Sequence, residues 1–381
     1  MQHPLPVVVF SHLRWDFVYQ RPQHLLSRIA ARRRVLFIEE PIPDAVSARW
    51  ERSAPAPGVE VFRPHTPVSS HGFSEEQLSV LLGMVRDLVN EQDAAGSIAW
   101  MYTPLALPLL GAVRPVTTVY DCMDELSLFL NAPPQLLARE AALLRRADVV
   151  FTGGPSLYEA KRERHGNIHC FPSSVDADHF RQGAALGEPA DQAGIPRPRF
   201  GFYGVIDERI DLPLIDALAE RHPAWQIVMV GPIVKIDPAT LPRRPNIHWL
   251  GQRTYGELPA YLGGWDVTLL PFARNDATRF ISPTKTLEYM ALERPIVSTP
   301  IADVAGPYGD IVYLGGDREE FVAACEAALQ SSAAERARRA RAMRHVLART
   351  SWDATAAAME QLIEEAVRRS IGANPMAAQA S

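Results

Sequence analysis

The stretch Asp266-Val-Thr-Leu-Leu-Pro-Phe-Ala-Arg-Asn-Asp-Ala-Thr-Arg-Phe-Ile-Ser-Pro-Thr-Lys-Thr-Leu-Glu-Tyr-Met-Ala-Leu-Glu-Arg-Pro-Ile-Val-Ser-Thr299 holds a strand, a polar loop, a helix and a second strand in succession. Its ends, Asp266 to Phe272 and Pro295 to Thr299, are short apolar runs rich in β-branched residues, the composition of strands buried on both faces of a parallel sheet. Between them Ser282 suits a helix N-cap and Pro283 the first helical position. Two parallel strands need a crossover connection, so the stretch reads as one βαβ unit.

The same alternation runs outward in both directions. In the second half, Arg199 to Ile206, Gln226 to Gly231, Asn246 to Gly251 and Ile311 to Leu314 are further strands. In the first half, Val7 to Phe10, Val35 to Glu39, Val59 to Arg63, Ile98 to Tyr102, Thr117 to Asp121, Val149 to Thr152 and Ile168 to Phe171 play that part, with amphipathic segments such as Arg21 to Arg33 and Pro134 to Arg146 between them. From Asp176 to Pro198 the pattern breaks into Gly, Ala, Pro and Asp, which reads as a linker. The expected fold class is α/β, two tandem Rossmann-like doubly wound domains. The expected divisions are an N-terminal domain over 1–180, a C-terminal domain over 181–350, a helix over 351–371 opened by Ser351-Trp352-Asp353, and a disordered tail over 372–381.

Composition narrows the function classes. With 47% hydrophobic and 22% charged residues the 381-residue chain is an ordinary globular protein. A net charge of −5 supplies no global basic field, so nucleic acid is not an expected partner. Cys122, Cys170 and Cys325 form no CxxC pair and no disulfide framework. The start MQHPLPVVVF lacks the features of a signal peptide, and the longest apolar run, Pro104 to Val113, is too short to span a bilayer. A cytoplasmic location is expected. Of the 39 basic residues only Lys161, Lys235 and Lys285 are lysines.

In open parallel sheets ligands bind outside the carboxyl ends of the strands, and that rule selects the candidate residues. After the first strand lie His12, Arg14, Trp15, Gln20 and Arg21, a polar and aromatic density greater than a turn requires. After Thr117 to Asp121, the carboxylates Asp121, Asp124 and Glu125 follow a buried strand, where one is suited to act as general base on an acceptor hydroxyl. An N-cap at Asp124 and a loop acceptor at Asp121 are the structural alternatives. In the second half Gly204 precedes Arg209, and Gly231 precedes Lys235. A glycine lets a ligand approach the backbone, and each cation reaches a phosphate. Gly251 and Arg253 close another strand, where a flat base has room to lie. Lys285 in a first helical turn opposes the helix dipole unless an anion is near, which suggests a bound phosphate alongside Ser282, Pro283 and Thr284. Glu288, one turn further on the same face, is suited to the two hydroxyls of a ribose. Lys161 reads as a residue of an ordinary helical stretch.

Asn246-Ile-His-Trp-Leu-Gly251, Leu270-Pro-Phe272, Ser282-Pro-Thr-Lys-Thr-Leu-Glu-Tyr-Met-Ala291 and Arg294-Pro-Ile-Val-Ser298 resemble the GT-B nucleotide-sugar glycosyltransferases, closest to the bacterial family 1/family 4 type that builds surface polysaccharides. Trp15 to Pro22, Tyr120 to Glu125 and the Ser351-Trp352-Asp353 helix extend the likeness over nearly the whole chain. The resemblance implies a last helix crossing back to the first domain. It implies that Glu288 binds the ribose, that Lys285, Thr284 and Arg209 hold the diphosphate, that Gly251 to Arg253 meet the base, and that Asp124 is the leading catalytic or acceptor-positioning carboxylate. A Glu-x7-Glu motif ending at Glu288 would begin at Phe280. Together with the lack of paired glycines after the first strand, this brings the sequence nearer to members that use an aspartate base and invert.

The implied activity is transfer of a sugar from a nucleoside-diphosphate donor, a UDP-sugar by expectation, to a lipid-linked or glycan acceptor. No metal or cofactor is expected, because Lys285 and Arg209 supply positive charge to the leaving diphosphate. Arg32 to Arg34 and the Arg336 to Arg349 helix motivate a secondary expectation of peripheral inner-membrane contact. The alternatives are a nucleotide-sugar 2-epimerase and a non-catalytic nucleotide-sugar binding protein.

Overall fold

A computed structural model describes residues 4–373. The chain divides into two compact units, one of residues 4–127, 132–172 and 353–373, the other of residues 128–131 and 173–352.

The first unit is built on an eight-stranded sheet of β1 (Val7–Ser11), β2 (Val35–Glu39), β3 (Arg49–Ala56), β4 (Val59–His65), β5 (Ile98–Met101), β6 (Thr117–Cys122), β7 (Val149–Thr152) and β8 (Ile168–Cys170). Their order across the sheet is β3-β4-β2-β1-β5-β6-β7-β8. All pairs are parallel except β3 with β4. Strands β1, β2, β5, β6 and β7 are wholly buried, which is why they read as unbroken apolar runs rather than as alternating ones. Strand β3 escapes that reading because nearly all of it is exposed. It is an antiparallel edge strand turned back by Gly58 at φ +75°, where an added Cβ would lie 2.6 Å from the Ala30 carbonyl oxygen. Strand β1 has β2 on one side and β5 on the other. The order reverses there, and the loops after β1 and β5 open at that switch point.

The closing helix, Trp352–Ala373, counts with this first unit from Asp353 onward. Met359, Ile363 and Ala366 are its buried stripe. Arg28 pairs with Asp353 at 2.5 Å, and Arg33 pairs with Glu360 at 3.5 Å and also with Glu364. Gly372 belongs to the end of this helix, whereas the rest of the expected tail, 374–381, lies outside the described residues.

The second unit carries β9 (Arg199–Tyr203), β10 (Gln226–Val230), β11 (Ile247–Gly251), β12 (Val267–Leu270), β13 (Ile296–Ser298) and β14 (Tyr313–Leu314), all parallel, in the order β11-β10-β9-β12-β13-β14. The switch point here lies between β9 and β12. The segment expected to be a linker is folded into this unit. Phe180 is fully buried and lies parallel to Tyr203 with ring centroids 6.2 Å apart. Gln192, also buried, accepts the Trp265 indole N–H at 2.8 Å and donates to the Tyr261 carbonyl at 3.0 Å. Glycine serves close approach here rather than flexibility, since a Cβ on Gly183 would lie 2.1 Å from the Pro259 carbonyl oxygen. Among the described residues no helix is long and apolar enough to cross a membrane.

Candidate functional site

The second unit gathers glycines where three adjacent strands end. Gly204 follows β9, Gly231 follows β10 and Gly251 ends β11, with φ of +137°, +148° and +74°. These are left-handed conformations that side chains resist. The three strand ends are in mutual contact: the Gly204 N–H donates to the Val230 carbonyl at 2.9 Å and the Gly231 N–H to the Gly251 carbonyl at 2.8 Å. A Cβ on Gly231 would fall 1.9 Å from the Gly204 carbonyl oxygen. Lys285 lies against Gly204, since a Cβ there would sit 2.2 Å from its Cε and 2.7 Å from its Nζ. Its ammonium is 5.6 Å from the centre of the Phe202 ring.

Lys285 is the first residue of a seven-residue helix, Lys285–Ala291. Ser282 is therefore not its cap. Thr284 stands at that position without a side-chain capping bond, and the Thr286 N–H reaches back to the Pro283 carbonyl at 3.1 Å, so Pro283 and Thr284 form an opening turn. Glu288 is buried one turn in and accepts a 2.5 Å hydrogen bond from the Tyr203 hydroxyl. Burial pushes its carboxyl above the ordinary range, against the opposing pull of the Tyr203 hydrogen bond and the Lys285 charge.

Arg209 is oriented by the buried Asp207, whose oxygens accept from its Nε at 2.9 Å and its Nη2 at 2.7 Å. Lys235, half-exposed and held at φ +61°, has its ammonium 4.0 Å from Glu208. Phe129, from the short segment 128–131 that counts with this unit, presents its ring to both cations, 5.5 Å from the Arg209 guanidinium and 5.2 Å from the Lys235 ammonium. Arg253 is otherwise engaged. Its Nε donates to the Tyr261 hydroxyl at 2.6 Å and its Nη2 to Asp191 at 2.5 Å. A flat base at this edge would accordingly meet the Gly251 backbone rather than a free guanidinium.

The strand ends of the first unit are organised differently. Asp121 and Arg21 are both buried and form a bidentate pair, with Arg21 Nη2 2.9 Å from Asp121 Oδ1 and Nε 3.1 Å from Oδ2. Arg21 also donates to the Phe171 carbonyl at 2.7 Å and lies 3.9 Å from the Met359 sulfur. Both side chains are enclosed and engaged with each other, so Asp121, expected as a catalytic carboxylate, and Arg21, expected at the acceptor, are not exposed at the strand ends. The pair ties together β6, the end of β8, the first helix and the closing helix. Gln20 precedes the helix Arg21–Ile29, its N–H held by the Gln23 side chain at 3.0 Å. Arg14 is held by Glu39 at 3.0 Å, and the Trp15 N–H donates to the same carboxylate at 2.7 Å, with the Trp15 ring edge-on to Phe37. His12, half-buried, follows β1 directly, and Asp124, also half-buried, stands in the loop after β6.

Residues 197–331 match the family described as Glycosyl transferases group 1. TuaH of Bacillus subtilis (strain 168), provisionally assigned as a teichuronic acid biosynthesis glycosyltransferase, is 26% identical over 276 residues, 66% of this chain and 68% of its own length. Among solved structures, a trehalose-6-phosphate protein from E. coli bound with UDP-2-fluoro glucose superposes with a TM-score of 0.71 at 14% identity, covering 95% of this chain and 99% of its own. The sucrose-phosphate synthase from Thermosynechococcus elongatus does so with 0.71 at 16%, covering 95% and 98%. The chain is a glycosyltransferase of the GT-B fold, and its residues 197–331 are similar to the group 1 family.

The region matched to the family contains the glycine row, Arg209, Lys285 and Glu288. Four features of this glycosyltransferase depart from what its sequence shows locally. Tyr203 reads as a strand residue, yet it is the hydrogen-bond donor that Glu288 faces. Asp207 carries no local signal, yet it orients Arg209. Phe129 lies far from both cations in sequence, and no local pattern brings it there. Lys161 is fully buried between two carboxylates rather than on an ordinary helical face. The arginines that suggested membrane contact are largely paired: Arg32 and Arg33 with Glu360, Arg338 and Arg339 with Glu335, and Arg344 with Glu293.

Proposed function

We propose that the protein moves a sugar from a nucleoside-diphosphate donor, of the UDP-sugar class, to a lipid-linked or glycan acceptor in surface polysaccharide synthesis. The observation that carries this reading is the Lys285 side chain lying on Gly204 beside two further strand-end glycines. Such an edge offers a diphosphate an ammonium and unobstructed backbone at once. Lys285 and Arg209 would hold the diphosphate, Glu288 the ribose and the Gly251 backbone the base, while Asp124 faces the acceptor. The relationship to TuaH supports the surface-polysaccharide setting.

In the reaction, the bond from the anomeric carbon to the diphosphate oxygen breaks and a bond to the acceptor oxygen forms. The acceptor proton passes to Asp124 as general base, and the nucleoside diphosphate leaves with the negative charge that Lys285 and Arg209 stabilise. Because those cations are the protein's own, we propose that turnover needs no metal ion and survives EDTA. Among the described residues no cluster of His, Cys, Asp and Glu has the arrangement of a metal site. The test is release of nucleoside diphosphate from a panel of UDP-glucose, UDP-galactose, UDP-N-acetylglucosamine and GDP-mannose. Lys285→Ala and Glu288→Ala are expected to lose at least 10-fold in donor kcat/KM, and wild-type activity in both would overturn the assignment.

A further inference from the structure

A buried polar cluster stands beneath the loop that carries Asp124. Lys161, at the end of the helix Pro155–Lys161, is 1% exposed, and its ammonium lies 2.6 Å from Glu125 and 2.6 Å from Glu140. Glu140 also accepts from the Tyr120 hydroxyl at 2.9 Å and from Arg164 at 3.0 Å. Two cations thus meet two carboxylates, with Tyr120 and the buried Cys122 kept neutral by burial. A cluster this complete is stable in place, but it becomes costly if any one charge is removed.

The same groups fix the backbone on either side of Asp124. On one side the Cys122 carbonyl accepts from the Gly153 N–H at 2.9 Å, and the Cys122 thiol donates to the Asp124 carbonyl at 3.6 Å. Met123 rests so closely on Gly153 that a Cβ there would be 2.3 Å from its carbonyl oxygen. On the other side Glu125 is held by Lys161 and by the Ser127 hydroxyl at 2.7 Å. Asp124 is left half-buried at the apex, near enough to Arg21 for its charge to favour that guanidinium.

We infer that Lys161, acting through Glu125, is a positioning residue that holds the Asp124 carboxylate in register for the acceptor. The inference rests on the proposed role of Asp124. A group that must meet a substrate hydroxyl within a few tenths of an ångström needs its flanking chain immobilised, and a displacement of 1 Å costs about 100-fold in rate. A lysine suits the task because a compact ammonium fits between two carboxylates where a planar guanidinium would force them apart.

The experiment uses the full chain with Glu125→Gln, which keeps side-chain volume and the Ser127 contact while removing the charge that Lys161 holds. Amide exchange followed by mass spectrometry is expected to show residues 122–127 exchanging at least 10-fold faster, with the rest of the first unit unchanged. On the fastest donor of the panel named above, kcat is expected to fall 10- to 100-fold with donor KM unchanged. Asp124→Asn/Glu125→Gln should be no slower than Asp124→Asn alone, because one function is lost only once. Wild-type exchange or wild-type kcat in Glu125→Gln overturns the inference, as does an additive loss in the double variant, and in each case an inactive Asp124→Asn leaves the role of Asp124 standing. A fully active Asp124→Asn overturns that role and the inference together. Lys161→Arg, which keeps the charge, separates fit from charge: loss of kcat at unchanged donor KM is expected, and wild-type kcat would count against the geometric argument.

Discussion

Each unit has its own largely parallel sheet with a switch point, yet they furnish their strand ends in different ways. In the first, the ends of β1, β2 and β6 carry charges that are absorbed by one another: Arg21 by Asp121, Arg14 and Arg63 by Glu39, Lys161 by Glu125 and Glu140. In the second, the ends of β9, β10 and β11 are glycines, with Arg209, oriented by Asp207, and Lys235 beside them. The contrast shows that a strand-end location marks where a ligand has access, while the residue type there decides between holding loops and receiving anions. Charges buried among partners serve rigidity, and removed side chains serve approach.

Arg21→Met is the severest way to break this contrast. It strands a buried carboxylate, and a loss of about 3–5 kcal/mol in urea unfolding is expected. A loss below about 1 kcal/mol would show that the first unit does not depend on its pair. Gly231→Ala comes next, with a strained backbone and a Cβ 1.9 Å from the Gly204 carbonyl oxygen. Here thermal unfolding should register at least about 2 kcal/mol of destabilisation, accompanied by loss of UDP binding in calorimetry. Lys285→Ala should leave the fold intact and weaken UDP about 10- to 100-fold while barely changing uridine, since a charged hydrogen bond is worth about 1.5–3 kcal/mol. Lys285→Arg should also weaken UDP, because the chain lies against Gly204 where a larger head group does not fit.

A smaller effect sharpens the picture of the first unit by pH. Burial raises the Glu40 carboxyl to about 7, although Arg14 draws it down. With the folded pKa above the unfolded one, its contribution to stability is complete below about pH 4.5 and is lost as pH rises through about 7. Glu40→Gln should match the wild type at pH 4 and exceed it by about 1–2 kcal/mol at pH 8. Smallest of all, Arg344→Ala removes an exposed pair with Glu293 and is expected to change stability by less than about 0.5 kcal/mol.

Much of the architecture was legible because buried parallel strands must be apolar throughout, and their runs stand out from β1 to β13. Strand β3 was not, since an exposed edge strand carries no such pattern. The segment 176–198 misled for a related reason: small residues that permit close packing have the composition of those that permit flexibility. At the candidate site, the Lys285 and Glu288 spacing was readable because both belong to one helix. The pairing of Asp121 with Arg21 is not legible because it spans 100 residues.

The sequence by itself determined the buried strands, the helices between them, the glycines at strand ends and the placing of Lys285 and Glu288 on one helical face. Those are local properties, set by periodicity and backbone preference within a few residues. Only the tertiary structure decided which charges pair. Strand order brings Arg21 to Asp121, Lys161 to Glu125, and Phe129 to Arg209, and an ionisable group takes its role from the partner and the dielectric it meets in space rather than from its neighbours along the chain.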